Sequence, residues 1–183
     1  LSAESLRDQA LSVSGLLVEK IGGPSVRPYM PDGVWDETSK YGDLRGYKED
    51  SGEGLYRRTL YTIWKRTAAP PSMLLFDSPN REICTAKRSR TNTPLQALAL
   101  LNEVTYVEAA RKLAEGMLLE GGGTPEARVE WAFQRVLARK PDTFERDTIT
   151  QRLKVRLEKL APAQDAARQI ISIGHSKPAA SLP

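Results

Sequence analysis

The sequence has very few of the residues that most often perform chemistry. Among 183 residues it contains one cysteine, Cys84, and one histidine, His175. A single cysteine excludes a disulfide within the chain and a CxxCH motif for haem attachment. One cysteine and one histidine cannot complete a zinc or haem site, and a triad built on His175 is disfavoured because that residue lies in a tail. We therefore expect this chain's own side chains to hold no metal and no cofactor.

Long apolar segments are also missing. No uncharged hydrophobic run approaches the roughly 20 residues that a membrane-spanning helix requires, so we expect no membrane span. The remaining composition, 40% hydrophobic and 27% charged, is typical of a globular protein. The chain begins at Leu1 and ends in SKPAASLP without a closing element. We interpret residues 1–183 as a single helical domain, a C-terminal fragment of a larger one, with a flexible tail over 174–183.

Charge is distributed unevenly along the chain. Residues 1–54 contain 6 basic and 10 acidic side chains, residues 55–93 contain 8 and 2, and residues 94–183 contain 13 and 11. The middle segment is therefore the basic one. Seven of its cations are candidates for a basic binding face: Arg57, Arg58, Lys65, Arg66, Lys87, Arg88 and Arg90. Tyr61 and Trp64 lie among them, and such a mixture of cations and aromatic rings can bind phosphates and stack bases.

The apolar pattern predicts an all-α protein. Hydrophobic residues recur at intervals of three and four from Ala3 to about Ile21 and again over residues 55–66, which is the spacing of one helix face. Ser2 is placed to cap the first of these helices. The segment SMLLFDSPNREIC favours an extended or irregular structure because of its DSPN turn. Together these patterns predict an irregular helical bundle.

A segment rich in proline, glycine and aromatic residues interrupts the helical pattern at residues 22–54, which we call the strap. Loops this long are uncommon in compact domains and are usually functional or mobile. The strap carries four spaced rings, Tyr29, Trp35, Tyr41 and Tyr47. We interpret it as an irregular segment that its aromatic side chains anchor to the helices.

The stretch RTNTPLQALALLN predicts a well-defined helix start. Thr93 and Gln96 have the spacing of a capping box, in which each side chain accepts a hydrogen bond from the other residue's backbone amide. Pro94 occupies the first helical position, where its missing donor costs nothing. The run to Leu101 is apolar on nearly every side, which predicts a buried helix that bends or restarts near Asn102.

Similar signals predict two further helices. Thr124 and Pro125 start the first, which is predicted to run to Arg139, and Asp142 with Glu145 start the second. The residues expected on their buried faces are Val129, Ala132, Phe133, Val136 and Leu137 in the first and Phe144, Ile149, Leu153, Leu157 and Leu160 in the second.

Other interpretations of the residues stay open. Asp32, Asp36 and Glu37 of the strap are possible acids of an active site, although the acidic spacing there matches no calcium-binding loop. Cys84 lies among cations, surroundings typical of reactive thiols, but a lone cysteine beside an apolar segment is more often a small core residue. Nucleic-acid binding is disfavoured because the acidic residues of 1–54 can neutralise the basic face and no nucleic-acid motif occurs.

Four stretches between Ala3 and Glu145 carry a further signal: AESLRDQALSVSGLL, GGPSVRPYMPDGVW, LYRRTLYTIWKRTAAPPSMLLFDSPNREICTAKRSRTNTPLQALALLNEVTYVEAARKLA and WAFQRVLARKPDTFE. They closely resemble the family called domain of unknown function 1553, also called planctomycete-specific domain one. The structural signature that we take from them is Thr93, Pro94, Gln96 and Asn102. The family has no established reaction and no agreed catalytic residues, so we assign no catalytic residue to this chain.

The resemblance implies a domain context and a cellular location, but it implies no reaction. Family members are usually large bacterial proteins, common in planctomycetes, in which this domain follows a companion of family 1549 and often accompanies a cytochrome c-like haem domain. It also implies export to the periplasm or cell envelope. Haem is then expected in a neighbouring domain, and the expected partners are other domains of the same polypeptide.

The expected function is therefore binding or scaffolding beside a cytochrome c-like or degradative domain, with the basic face docking an acidic surface. An anionic glycan would suit the same face. The alternatives are a role in a glycan-processing enzyme that uses the strap acids and a role in nucleic-acid binding.

Overall fold

The computed structural model describes residues 1–36, 46–65, 68–180 and 182. Within these ranges the chain is helical, and extended segments meet only in isolated β-bridges, which confirms the predicted all-α class. The α-helices are α1 (Ala3–Val13), α2 (Pro71–Leu75), α3 (Pro94–Asn102), α4 (Val104–Glu120), α5 (Pro125–Leu137), α6 (Thr143–Leu160) and α7 (Gln164–Ile171). In this described part, no helix combines the length and apolar character needed to cross a membrane.

The chain divides into two compact units. Unit 1 comprises Leu1–Ser12 and Leu16–Tyr106, and unit 2 comprises Val13–Gly15 and Val107–Pro183. Unit 1 contains α1, two 3-10 turns, α2, α3 and the described residues of the strap, and α4 begins at its end. Unit 2 contains the rest of α4 and α5 to α7, with α6 packed against both α5 and α7.

Helix α1 is shorter than its apolar spacing predicts. Ser2 caps it as predicted, since the Ser2 Oγ accepts from the Ser5 amide at 3.1 Å. It ends at Val13, because Gly15 takes a φ of 75° and the amides of Leu16 and Leu17 close onto the Leu11 carbonyl. Leu16, Leu17 and Val18 then pack beside the fully buried Leu11 and Leu55 without being helical. The predicted extension to Ile21 is therefore wrong, although most of the apolar residues concerned still serve the core.

The helix predicted over residues 55–66 is also wrong. This segment forms two 3-10 turns, Gly52–Tyr56 and Thr59–Tyr61, separated by extended backbone at Arg57. The reason is tertiary: the Arg7 side chain takes the carbonyls of Leu55 and Arg57, and the Asp8 carboxylate takes the Thr59 amide. Backbone groups that a helix would pair internally are thus paired with α1.

Helix α2 is a short element that the sequence did not predict. It spans Pro71–Leu75 and buries Met73, so the irregular structure predicted for this region is correct only from Phe76 onward. There the chain turns through Asp77 and Arg81, which have φ values of 62° and 66° in the left-handed region. The residues from Ser78 to the start of α3 form no regular element.

Helix α3 begins as predicted. The Thr93 Oγ1 accepts from the Gln96 amide at 3.3 Å, and the Gln96 Oε1 accepts from the Thr93 amide at 3.2 Å, so the capping box is complete. Asn102 ends the helix with its Nδ2 on the Leu98 carbonyl at 2.8 Å. The predicted bend follows at Glu103, which is extended before α4 starts.

The predicted burial of α3 is wrong. Gln96 is its only residue classed as buried, whereas Leu95, Leu98 and Leu101 are 59%, 55% and 75% exposed. The apolar composition of α3 predicted that the helix would be buried, but its leucines are exposed.

The starts of α5 and α6 are confirmed. The Thr124 Oγ1 accepts from the Ala127 amide at 3.2 Å, and Asp142 and Glu145 form a complete capping box. Burial was predicted less well: Val129 is buried, but Leu137 at the end of α5 and Phe144 and Leu157 of α6 are exposed. Among the described side chains of α6, none is buried.

A buried charged cluster in unit 2 joins α4 to residues 174–179. The Arg111 guanidinium lies 2.8 Å from the Glu115 carboxylate and 3.8 Å from that of Glu108. The Glu108 Oε1 accepts from the Ser176 amide at 2.6 Å, and Glu115 accepts from the Ala179 amide at 3.2 Å. These bonds hold the start of the tail against α4, while the flexibility predicted for residues 174–183 stays a prediction.

Gly174 provides a direct test of this cluster. We expect Gly174→Ala to lower the free energy of unfolding by roughly 2–4 kcal/mol. The residue has a φ of 86°, and an added Cβ would lie 2.2 Å from the Cδ of Glu108. Gly15→Ala is the matched control, since Gly15 also has a positive φ, of 75°, but nothing lies within 4 Å of a Cβ there. Urea unfolding followed by circular dichroism measures both variants, and equal midpoints for them would contradict the packing described.

Candidate functional site

Arg57, one of the seven candidate cations, is a buried structural residue. It is 5% exposed, and its guanidinium donates to the carbonyls of Lys20 at 2.9 Å, Pro24 at 3.1 Å and Gly22. The same group lies 3.9 Å from the centre of the Tyr61 ring. Arg57 therefore fixes the turn at residues 20–24 and presents no charge at the surface.

Arg7 performs the same task from α1. Its Nη1 donates to the Arg57 carbonyl at 3.0 Å and the Thr59 hydroxyl at 3.1 Å, and its Nη2 donates to the Leu55 carbonyl at 2.7 Å. Burial disfavours the charged form and lowers the pKa of Arg7, although Asp8 and other neighbours oppose the shift. Sequence reasoning missed Arg7. The only signal for it was that this cation occupies a position on the part of α1 that the apolar face also covers.

Other candidate cations are dispersed. Arg58 is exposed and pairs with Asp8 at 3.4 Å, and the Lys65 Nζ lies 4.2 Å from the centre of the buried Trp35 ring. Arg66 lies outside the described residues. Arg58 and Lys65 thus each have a partner within unit 1 and do not join the remaining candidates.

Lys87, Arg88 and Arg90 are brought together around one pocket. Its volume is about 650 Å³, and its other lining residues include Ser2, Leu6 and Phe76. Arg88 is held in place by Glu4, whose two carboxylate oxygens lie 3.0 and 2.7 Å from its Nη1. Within the described part of the chain, Lys87 and Arg90 form no ion pair. We call Lys87, Arg88 and Arg90 the cation group.

A polar network of Asp77, Thr91 and Gln96 lines the same pocket and anchors the chain beside Arg90. The Asp77 carboxylate accepts from the Thr91 amide at 2.6 Å and from the Thr91 hydroxyl at 2.9 Å. Gln96, 7% exposed, donates from its Nε2 to the Leu75 carbonyl at 2.9 Å and to the Thr91 hydroxyl at 3.0 Å. The hydrogen bond from the Thr91 amide is the main cause of a lowered pKa for Asp77. The network ties the segment that carries the cations to α2 and α3.

The signature residues therefore have a larger role than capping. Sequence reasoning identified Thr93 and Gln96 as a helix start but missed the partnership of Gln96 with Asp77 and Thr91. The DSPN turn was the only sequence signal for Asp77. Nothing in the spacing of 14 residues from Asp77 to Thr91 indicated that the two side chains would bond.

A second, smaller pocket shares part of this surface. Its volume is about 330 Å³, and Lys87, Arg88 and Ser89 line it as well as the first. The remaining wall contains Ser78, whose hydroxyl is buried without a hydrogen-bond partner, together with Asn80 and Thr85. The cation group thus borders a surface rich in hydroxyl and amide groups.

The strap is anchored by its aromatic residues in the part that the structure describes. Trp35 is fully buried, donates to the Ala68 carbonyl at 3.0 Å and contacts Tyr47 edge to face at a centroid distance of 5.0 Å. Tyr47 donates to the Pro28 carbonyl at 2.5 Å. Asp32 and Asp36 are exposed on either side of this anchor, while Glu37 and Tyr41 lie outside the described residues.

Cys84 and a metal site are the two remaining chemical candidates. Cys84 is exposed, so its interpretation as a small core residue is wrong, and its reactivity stays untested. Within residues 1–36, 46–65, 68–180 and 182, no group of three or more His, Cys, Asp and Glu side chains is arranged to hold a metal ion.

Arg57 and Arg58 allow a matched test of these assignments. We expect Arg57→Lys to lower the free energy of unfolding by about 2–3 kcal/mol, because a single ammonium nitrogen cannot reproduce the planar fork with which the guanidinium reaches three carbonyls. Arg58→Lys removes one exposed contact and should change it by less than about 0.5 kcal/mol. Thermal and urea unfolding measure both. Similar losses for the two variants would mean that burial does not separate the roles of these neighbours.

Glu103 makes the stability of unit 1 depend on pH. Burial raises the pKa of this carboxyl above its ordinary value of 4.5, although Thr105 donates to it at 3.0 Å. The folded state therefore holds the proton more tightly, and this contribution to stability is present below pH 4.5 and lost as pH rises through the folded pKa. We expect Glu103→Gln to stabilise the protein at pH 7 and to lose that advantage below pH 4.5. Urea midpoints across this range measure it, and a constant difference would contradict the assignment.

Comparison with known proteins supports one assignment. Residues 1–153 match the model of a family described as PSD1, protein of unknown function (DUF1553). No curated protein and no solved structure shows a significant match to the chain. The match covers most of the sequence and includes the cation group, the Asp77 network and the α3 capping box. The chain therefore belongs to the DUF1553 family of proteins of unknown function.

Proposed function

We propose that this chain is a binding module of a multidomain bacterial envelope protein, in which the cation group holds an acidic surface of a neighbouring domain. The observation that carries the proposal is the gathering of Lys87, Arg88 and Arg90 around one pocket. Lys87 and Arg90 have no ion-pair partner in the described part of the chain, so their charges are available to an anionic partner.

Rigid support of the segment favours binding over a merely solvated charge. Asp77, Thr91 and Gln96, which line the same pocket, bond to one another, and Glu4 orients Arg88. Arg88, which Glu4 holds in position, loses less conformational entropy when a partner binds than an unrestrained side chain would. A preformed cationic surface also increases the rate of encounter with an acidic partner.

The neighbouring domain that we propose is cytochrome c-like or degradative. Its acidic side chains, or haem propionates exposed at its surface, would supply the negative charge. Haem would then belong to that domain and not to this chain. Association of this kind in the periplasm or cell envelope accords with the setting that family resemblance implies.

An anionic glycan is the second candidate ligand. The pocket of about 330 Å³ places the exposed hydroxyls of Thr85 and Ser89 beside Lys87 and Arg88. Hydroxyl groups together with cations match a polyhydroxylated ligand that carries carboxylate or sulfate. This candidate needs no catalysis by the strap, where the burial of Trp35 favours an anchoring role over an active site built on Asp32 and Asp36.

Nucleic acid is the least favoured ligand. Stacking with bases requires accessible aromatic faces. Arg57 already covers a face of Tyr61 at 3.9 Å, and Arg81 covers a face of Trp64 at 4.2 Å. The aromatic residues that lie among the cations are therefore engaged by arginines of the chain itself.

Charge reversal tests the proposal. We expect Lys87→Glu combined with Arg90→Glu to weaken capture of the remaining domains of the same polypeptide at least about tenfold, because attraction becomes repulsion. Capture of the wild type should also fall in roughly 0.5 M salt, where the Debye length is only a few ångströms. Biolayer interferometry with the immobilised chain measures both effects.

The matched control is Arg152→Glu combined with Lys154→Glu, which changes the net charge equally at exposed positions of α6. If the two double variants weakened capture equally, the effect would come from net charge alone, and a specific site would be refuted. Labelled polygalacturonate and oligo-dT serve as competing probes. The glycan would be favoured if polygalacturonate bound more tightly than the protein domains and if charge reversal at Lys87 and Arg90 weakened that binding.

A further inference from the structure

The pocket of about 650 Å³ has an apolar wall as well as cations. Leu1, Leu6 and Phe76 line it together with the cation group. Leu6 and Phe76 are partly buried, and the Phe76 ring packs edge to face against the buried Tyr106 at a centroid distance of 6.0 Å. The apolar wall therefore belongs to the packed structure of unit 1, and it borders the same cavity as the three cations.

The charges that line this pocket are unbalanced. The cation group shares the lining with one carboxylate, that of Asp77, so the lining has a net charge of +2. Glu4 pairs with Arg88 at 2.7 Å. The excess positive charge thus belongs to Lys87 and Arg90, which have no ion-pair partner in the described part of the chain. An occupant that carries negative charge is favoured.

A carboxylate alone would use only part of this site. Pockets of roughly 300–1,000 Å³ typically hold ligands that combine apolar groups with a few polar ones. A carboxylate paired with the cations would leave Leu6 and Phe76 in contact with water. An apolar group that enters the same cavity would cover both side chains, and removal of apolar surface from water is the main driving force of association.

An aromatic ring suits the lining better than an aliphatic group does. Aromatic rings pack favourably edge to face or offset against another ring, such as that of Phe76. Guanidinium and ammonium groups are also attracted to the face of an aromatic ring. Phe76 and the cation group provide both kinds of contact in one cavity.

We infer that the pocket receives an aromatic side chain of an acidic peptide segment, whose carboxylates on either side of the ring bind Lys87 and Arg90. The inference rests on the proposed function and specifies the segment that the neighbouring domain presents. The ring contacts Leu6 and Phe76, and this contact is insensitive to salt. The carboxylates contribute the part of the affinity that salt screens.

A second copy of the chain fits the charge of the pocket less well. It offers an exposed aromatic residue, Phe144, which is 79% exposed at the start of α6. The acids beside this ring are already paired. Glu145 lies 2.6 Å from Arg139, and Asp147 lies 3.2 Å from Arg146. Phe144 therefore does not present unpaired carboxylates together with its ring.

Two peptides of equal charge test the inference. The probe is the fluorescein-labelled peptide GEEWEEG, and the control is GEESEEG, in which serine replaces the central tryptophan. We expect the full chain to bind the tryptophan peptide at least about tenfold more tightly by fluorescence anisotropy, because only its side chain covers the apolar wall. Both peptides should weaken in roughly 0.5 M salt, but the ratio of their affinities should persist.

Variants of the apolar wall locate the ring. Leu6→Gln should weaken the tryptophan peptide at least about fivefold and change the serine peptide less than about twofold. The matched control is Leu17→Gln, since Leu17 is also a partly buried leucine of unit 1 but lines a different pocket. Phe76→Leu is a second wall variant, which keeps an apolar side chain and removes the ring. Circular dichroism verifies that each variant folds.

Charge reversal separates the inference from the proposed function. Lys87→Glu combined with Arg90→Glu should weaken both peptides at least about tenfold, because both carry the same carboxylates. Equal binding of the two peptides by the wild type overturns the inference, whereas the proposed function stands if this reversal still weakens both. If the reversal changes neither peptide, the proposed role of the cation group fails.

Two further results would overturn the inference. A preference for tryptophan that neither Leu6→Gln nor Phe76→Leu reduces would mean that the ring binds elsewhere. Self-association of the chain in light scattering that Phe144→Ser abolishes would identify a second copy as the occupant instead of a neighbouring domain.

Discussion

The architecture of unit 1 depends on the pairing of buried guanidinium groups with main-chain carbonyls. Arg7 reaches from α1 to the carbonyls of Leu55 and Arg57, and Arg57 reaches on to those of Lys20 and Pro24. Each carbonyl belongs to a segment that forms no sheet, so a side chain supplies the donors that a regular element would provide. The apolar core that accompanies these bonds is a small cluster around Leu11 and Leu55.

In unit 2, buried carboxylates bind irregular backbone in the same way. Glu108 and Glu115 accept the amides of Ser176 and Ala179, and Arg111 balances their charge. In both units, then, a helix carries buried ionic side chains that bind irregular backbone. Such groups are costly to bury unless they are fully engaged, and this makes the positions sensitive to substitution by residues of similar charge but different geometry.

Local features were the ones that the sequence predicted well. The capping boxes at Thr93 and Asp142 need only residues three apart, and both formed as expected. Burial depends on residues that are far away in the sequence, and the predictions of burial failed. Leu98 is exposed in a helix that was expected to be buried, and Arg57 is buried in a segment that was expected to form a basic surface. Arg57 and Arg58 are identical in type and adjacent, so only the carbonyls that surround one of them distinguish the two. For the site, three of the seven candidate cations converge, and the Asp77 and Thr91 support was beyond local reasoning.

Gln96 forms hydrogen bonds with both polar atoms of its side-chain amide, and this has a consequence for how the cation group responds to a ligand. Its side-chain oxygen completes the first turn of α3, and its side-chain nitrogen holds Thr91 beside the cations. Ordering the loop and ordering the helix start therefore share one residue. By thermodynamic linkage, whatever restricts the loop must also reduce fraying of the helix, and the reverse holds to the same extent. A ligand that orders the cation group would therefore also stabilise the start of α3 through this single amide side chain.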